Sequence, residues 1–384
     1  MEQRSLRFRN SISGIEVDSI WDHLLAEKLW RSADFFQHEY NVLSGHRNRG
    51  PWKPVLPPWA TLESGIFWCA ETSSLTDPVY KPINGPGNRD DFLKAALHFF
   101  ELLDGKRIAV QLSGGLDSSL IIGLLRHFSI PHSLVGLKSD RYEFRTERFV
   151  QESLAYQASS SVVLIDECEH LPYSALNVVP PHQVPNLLSL NFAQDDAMAR
   201  ACSKLGIDVL LTGGGGDNLF ADDVPECPDL CEWRPQIFTD SFPVDIVYKT
   251  YEIDLVSFFG NHEIVNAIYR LRCGQEIDLK KLWARNFFRD FLPAELYNHS
   301  YCADFWGRDI DGLQQAMPLI REIHGRAAEA TNSVYFAHER LEELLKQDLL
   351  RSDKNLYNRI DARVSSAIWV NSLERLLLSK NKAR

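Results

Sequence analysis

A chain of 384 residues with 45% hydrophobic and 24% charged residues has the make-up of an ordinary globular protein, which excludes collagen-like, coiled-coil and wholly disordered architectures. Its length corresponds to about two to three domains. Lys and Arg total 41 against 52 Asp and Glu, a net charge of −11, so the overall field repels phosphate backbones and bulk nucleic-acid binding is not expected. A polyphosphate ligand would have to be held locally, by backbone N–H groups and a metal.

The opening MEQRSLRFRNS has no apolar run of the secretory kind, and the longest aliphatic stretch, near 120–125, is far too short for a membrane span. Seven scattered cysteines form no disulfide framework, so a soluble cytoplasmic protein is expected. In chain order, a helix is predicted over Val17–Tyr40, then a segment rich in Pro, Gly, Arg and Trp, then a strand-like run over 64–74. The turn-forming PINGPGNRDD ends this region and caps a helix over Asp91–Leu103.

From Lys106 the pattern alternates. RIAVQL, HSLVGL, SVVLID and IDVLLTG read as buried strands, separated by the helical SSLIIGLLRHF, TERFVQESLAYQAS and FAQDDAMARACSKLG. Apolar strands joined by helices of this length predict a parallel sheet covered on both faces. No strand is predicted after Phe220; His262–Arg272, Leu279–Phe291, Val334–Leu350 and Asn355–Leu378 have helical spacing. The expected organisation is a small N-terminal α+β region over 1–88, an α/β domain over 89–245 and an all-helical part over 246–384.

Two glycine-rich strings carry the chemistry. In SGGLDSS, Ser113–Ser119, glycines follow a buried strand and open a helix, so the backbone can turn tightly and approach a ligand with no Cβ in the way. The helix N-terminus suits an anion, the Ser113, Ser118 and Ser119 hydroxyls add donors, and Asp117 offers oxygen to a hard cation. The string lacks the Gly-Lys-Ser/Thr ending of a Walker A loop and the spacing of a dinucleotide fingerprint. The second string, Asp208–Phe220, places four glycines and Asp217 after another strand, at the carboxyl edge where open α/β sheets bind ligands. Elsewhere, Cys227 and Cys231 are a lone close pair, short of the four ligands of structural zinc. The acids Asp222, Asp223, Glu226, Asp229 and Glu232 read as a solvated loop or as a lid attracting a basic substrate or peptide.

SGGLDSS resembles the PP-loop of ATP pyrophosphatases, and within them the asparagine synthetase branch, which includes β-lactam synthetase and the lasso-peptide macrolactam cyclases. TGGGGD is similar to that branch's second signature. The resemblance implies a PP-loop fold, ATP and Mg²⁺ as cofactors, and Asp117 and Asp217 as magnesium ligands. It implies Ser113, Gly114, Gly115, Ser118, Ser119, Gly215 and Gly216 around the pyrophosphate, and Leu112 and Leu137 beside the adenine and ribose. Gly214 stands where asparagine synthetases carry Glu and β-lactam synthetase Tyr, which is more like the lasso cyclases.

Further along, Lys281–Arg285 followed by Leu292-Pro293 resembles the family's Lys-x-x-x-Arg helix ending in Leu-Pro. Tyr251–Val265 loosely matches the segment in which relatives hold an acid, which makes Asp254, then Glu252, candidates for the base that deprotonates an attacking amine. Where relatives place an essential lysine this chain has Tyr301; Tyr301, His299, Lys280 or Lys281 are the candidates to act there. Residue 2 is Glu, not the cysteine of glutamine-dependent relatives, so no glutaminase activity is expected and the amine comes from the substrate or a small molecule. The implied activity is ATP-dependent amide formation through an acyl-adenylate, on a carboxylate and an amine, either of which could belong to a peptide handled with a biosynthetic partner protein. A degenerate binding protein and another PP-loop adenylating enzyme are the alternatives.

Overall fold

The computed structural model describes residues 6–10, 16–17, 59–63, 87–158, 160–182, 187–221, 244–272, 275, 280–298, 305–346 and 354–382. The chain divides into two compact units, one made of Met1–Val79, Pro172–Ala193 and Trp306–Arg384, the other of Tyr80–Leu171 and Gln194–Phe305.

In the first unit, β1 (Leu6–Asn10) pairs antiparallel with β2 (Glu16–Val17) and β3 (Trp59–Glu63), with Phe8 opposite Val17 and Thr61. Val17, the first residue of the predicted N-terminal helix, belongs to β2; the rest of that helix and the strand-like run over 64–74 lie outside the described residues.

In the second unit, β4 (Ile108–Gln111), β5 (Ser133–Lys138), β6 (Val162–Asp166), β7 (Val209–Thr212) and β8 (Asp254–Ser257) form one sheet in the order β6-β5-β4-β7-β8. Every pairing is parallel. The first four strands fall where the apolar runs predict them. The fifth corrects the expectation of no strand beyond Phe220. With the burial pattern of a half-exposed edge and only four residues, DLVS carries too little apolar alternation to be read as a strand from sequence.

Helix α1 (Arg89–Glu101) starts where the turn signals place it, the Asn88 side chain accepting from the Asp91 backbone N–H at 2.9 Å. Helices α2 (Leu116–His127), α3 (Arg145–Tyr156) and α4 (Phe192–Lys204) follow β4, β5 and β6. After β7 come α5 (Gly216–Phe220), α6 (Val244–Lys249), α7 (His262–Arg272), α8 (Leu282–Phe287) and α9 (Ala294–Asn298). Aromatic rings fill the core under α1 and α7: Phe258 lies 5.1 Å from Phe99 and stacks on Phe100 at 5.6 Å.

Unit one's helices are α10 (Trp306–Thr331), α11 (His338–Leu345) and α12 (Lys354–Lys382). Of these, α10 is missing from the sequence expectations. Its buried Ile310, Leu313, Ala316, Ile320, Ile323 and Ala327 keep a three-to-four spacing, but Pro318 inside the helix reads as a breaker. Both α10 and the segment before α4 pack on α12. Tyr173, held at φ 66°, donates its hydroxyl to Asp361, and the Trp369 indole N–H donates to the His182 carbonyl at 2.8 Å.

Burial pushes the Asp361 carboxyl up to about 7, with the Tyr173 hydrogen bond acting the other way, so below that pH the folded chain holds a proton that the unfolded chain releases near 3.8. The stabilisation is fully present at acid pH and is lost as pH rises through 7, at up to about 1.4 kcal/mol per pH unit. Asp361→Asn removes this dependence, so the variant gains on the parent between pH 5 and pH 8. The buried imidazoles His182 and His324, lowered to about 4, cancel in the comparison. Urea midpoints at the two pH values measure the difference; a constant gap would show that Asp361 is charged throughout.

Candidate active site

The sheet order makes β4 and β7 neighbours while the chain leaves them in opposite directions, and their carboxyl ends are the switch point at which open α/β sheets bind ligands. The loop Leu112–Gly115 leaves β4 there and Gly213–Gly215 leaves β7. Both bends need glycine for stated reasons. Gly114 sits at φ 81°, and a Cβ on it would come within 2.2 Å of the Glu147 carbonyl oxygen. Gly215 sits at φ 86° as the N-cap of α5. A Cβ on Gly216 would stand 2.4 Å from the Asp117 carboxyl carbon, and one on Gly213 would lie 3.0 Å from Asp117 Cβ. The second loop is therefore moulded on Asp117 of the first.

Hydroxyl groups brace the first loop from within. Ser113 and Ser118 share a hydrogen bond of 2.8 Å, the Gly115 N–H donates to Ser113 Oγ at 3.2 Å, and fully buried Ser119 donates to the Gly115 carbonyl at 2.7 Å. Ser119 thus holds the turn, whereas Ser113 is exposed. In the second loop, Ser257 at the carboxyl end of β8 donates to the Gly214 carbonyl at 2.7 Å and accepts from the Gly260 N–H at 2.9 Å. Nothing in the amino-acid pattern singles out Ser257, because β8 itself is not legible there.

Lys281 joins the two loops. Its Nζ lies 2.8 and 2.9 Å from the two Asp117 carboxylate oxygens and 2.5 Å from Asp217 Oδ1, with the Phe220 ring centroid at 5.8 Å. The residue has φ 56°, and the helix behind it is anchored by the Trp283 N–H donating to the Phe220 carbonyl at 3.0 Å and by Arg285 Nε donating to the Lys280 carbonyl at 2.8 Å. Side-chain exposure is 8% for Lys281, 16% for Asp117 and 85% for Asp217, so a ligand must arrive from the Asp217 side. Burial pushes the Asp117 carboxyl above its ordinary range, against the pull of the Lys281 ammonium. For Lys281 burial works against the charge, and the attraction of Asp117 and Asp217 outweighs it, so the ammonium is held above its ordinary range.

Two carboxylates that reach one cation from neighbouring loops are a donor set that fits Mg²⁺, which takes few protein oxygens and completes its shell with phosphate and water. Among the described residues no group of three or more His, Cys, Asp or Glu side chains could hold a metal without such help.

The structure thus gathers Ser113, Gly114, Gly115, Asp117, Ser118, Gly215, Gly216, Asp217 and Lys281 at one edge, with Leu112 and Leu137 at the neighbouring strand ends. It does not bring Asp254 and Glu252 there. Asp254 opens β8 opposite Val209, its N–H donating to the Asp208 carbonyl at 3.0 Å, beside the Arg107–Asp208 ion pair. A strand of that length puts it about 10 Å from the carboxyl edge. Because the segment is a parallel strand, the candidate bases lie at its entry end, and the expectation for both is corrected. Tyr301 and His299, and the acidic loop with Cys227 and Cys231, lie outside the described residues; Lys280 is exposed.

A parallel sheet with two glycine-moulded loops and an acid on each, at its switch point, defines a PP-loop type α/β nucleotide domain. Residues 101–223 match the family model described as asparagine synthase, and the match supports an ATP-utilising adenylating enzyme. Among solved structures the chain is similar to the U34-tRNA thiolase NcsA from Methanococcus maripaludis, determined with its 4Fe-4S cluster, at 13% identity and a TM-score of 0.32, covering 66% of this chain and 81% of that one. No curated protein matches the chain. No helix among the described residues is long and apolar enough to cross a membrane.

Proposed function

We propose that the protein is an ATP-dependent carbon–nitrogen ligase that forms an amide through an acyl-adenylate, on a peptide or specialised metabolite, in the manner of the lasso cyclases. The observation that carries the reading is the convergence of Asp117 and Asp217 on the Lys281 ammonium. A substrate carboxylate oxygen attacks the α-phosphorus of ATP and the bond to the β-phosphate breaks, releasing pyrophosphate. An amine nitrogen then attacks the acyl carbon, loses its proton, and AMP leaves with the electron pair of the broken C–O bond. Asp117 and Asp217 would hold Mg²⁺, which when bound neutralises the charge gathering on the leaving pyrophosphate. Ser113 and the N–H groups before α2 face the same phosphates, and Lys281, released from the carboxylates, supplies a second cation to them. Since adenylates hydrolyse, the reaction requires that water be kept from the intermediate.

Pyrophosphate–ATP exchange with candidate carboxylates tests the adenylating half without the amine. Label entering ATP only when an acid is supplied is the expected result. Tight ATP binding with neither exchange nor AMP from any acid or peptide tried would leave a nucleotide-binding protein without catalysis.

A further inference from the structure

Helix α3 buries Val150, Gln151 and Leu154 on its inner face, and its outer face is unlike a solvated one. Tyr142, in the turn that leads into the helix, is 74% exposed, Phe149 57% and Tyr156 94%. Arg145 and Glu152, which lie between them in sequence, are exposed as well. Steps of three, four, three and four residues put all five on one narrow stripe. The Arg145 guanidinium lies 4.0 Å from the Tyr142 ring centroid, which ties the turn to the helix. A helix face turned to water carries charged and polar side chains, whereas three large aromatic groups in a row mark a contact surface. The nearby Arg148 and Arg141 are engaged by Asp140 at 3.1 Å and Glu143 at 3.5 Å, so the charges that the stripe itself presents are Arg145 and Glu152.

We propose that this face is a homodimer interface, in which α3 of a second copy packs antiparallel across Phe149. The stripe is complementary to itself. A tyrosine stands seven residues before Phe149 and another seven after it, with an arginine four before and a glutamate three after. A two-fold axis at Phe149 sets that ring on its counterpart, Tyr142 on Tyr156 of the second copy, and Arg145 against Glu152 at two equivalent places. At a rise of 1.5 Å per residue, Arg145 lies about 6 Å to one side of Phe149 and Glu152 about 4.5 Å to the other, so the opposite charges meet within about 1.5 Å of register. A parallel pairing would instead set Arg145 on Arg145 and Glu152 on Glu152, like charge on like. A single helix face falls short of the roughly 800 Å² per partner of a stable complex, so the dimer is expected to be reversible, with a Kd in the micromolar range.

Sedimentation equilibrium of the full chain over about 1–100 μM brackets that affinity. The parent is expected to pass from monomer to dimer across the range, and Phe149→Ser to weaken association about tenfold or more. Arg145→Glu alone, or Glu152→Arg alone, sets like charges opposite each other at both equivalent contacts, for a loss of about tenfold. The double variant Arg145→Glu with Glu152→Arg restores opposite charges and is expected to return to within about threefold of the parent, a non-additive result that only a direct contact between the two positions produces. The three positions are exposed and none belongs to the proposed nucleotide site, so the variants keep the fold. A parent that stays monomeric at every concentration would overturn the dimer and leave the face to another partner. Association that none of the variants weakens would overturn it by placing the contact on another face. Losses in both single reversals with no recovery in the double variant would overturn the antiparallel pairing.

Discussion

Asp117→Asn and Asp217→Asn are each expected to reduce pyrophosphate–ATP exchange by roughly 10³-fold, the scale set by removal of a single charge-stabilising group from a reacting centre. Their effects on stability should differ widely. Asp117 is enclosed by Gly213, Gly216 and Lys281, so neutralising it leaves a buried ammonium with one counter-charge where it had two. Breaking a buried pair in this way costs about 3–5 kcal/mol. Asp217 has 85% of its side chain exposed, and an exposed ion pair contributes about 1 kcal/mol or less. Equal catalytic loss with unequal loss of stability is the signature of two ligands to one cation, because a mere unfolding effect would make activity follow stability. Exchange rates and urea midpoints on the same preparations measure both quantities. Exchange within twofold of the parent in the soluble Asp217→Asn variant would rule out a shared cation.

The sequence is most informative where glycine is demanded by close approach. Gly114, Gly213 and Gly216 each stand where a Cβ would collide or crowd, so the two strings that contain them can be recognised without a structure. The four leading strands are legible for a related reason: buried on both faces, they read as continuous apolar runs. Legibility fails where the signal depends on partners remote in sequence. β8 is a short edge strand whose identity comes from pairing with β7, and misreading it placed Asp254 and Glu252 at the wrong end of the sheet. Gln151 looks like an ordinary polar residue in an amphipathic helix; only the structure shows that its amide donates to the Leu112 carbonyl at 2.9 Å and the Leu137 carbonyl at 2.8 Å, joining two strand ends. A polar side chain on the apolar stripe of α3, between Val150 and Leu154, is the trace it leaves in the sequence. Lys281 is the intermediate case, singled out by its resemblance to a Lys-x-x-x-Arg helix, whereas its bond to both acids could not be read from spacing.

That bond has a consequence that does not depend on knowing the substrate. In the structure the Lys281 ammonium occupies the space between Asp117 and Asp217 that a divalent cation would share, so the free protein carries its own counter-ion. Lys281→Met should leave two facing carboxylates, one of them buried, and lower stability by about 3–5 kcal/mol at neutral pH. Magnesium alone should then restore part of the loss, since a ligand that binds only the folded state at a hundredfold excess over its dissociation constant contributes about 2.7 kcal/mol. The parent, whose carboxylates are already neutralised, should show little response to the same Mg²⁺ concentration without nucleotide. Thermal midpoints of both proteins with and without Mg²⁺ make the comparison. An equal magnesium shift in the two proteins would mean that the ion binds elsewhere, and no shift in either would mean that two carboxylates do not suffice without phosphate. If the Mg²⁺ shift is confined to the variant, lysine and metal compete for one position, and the lysine must leave the carboxylates when Mg·ATP binds. Such a displacement couples nucleotide arrival to a freed cation beside the phosphates, which is where the chemistry next requires one.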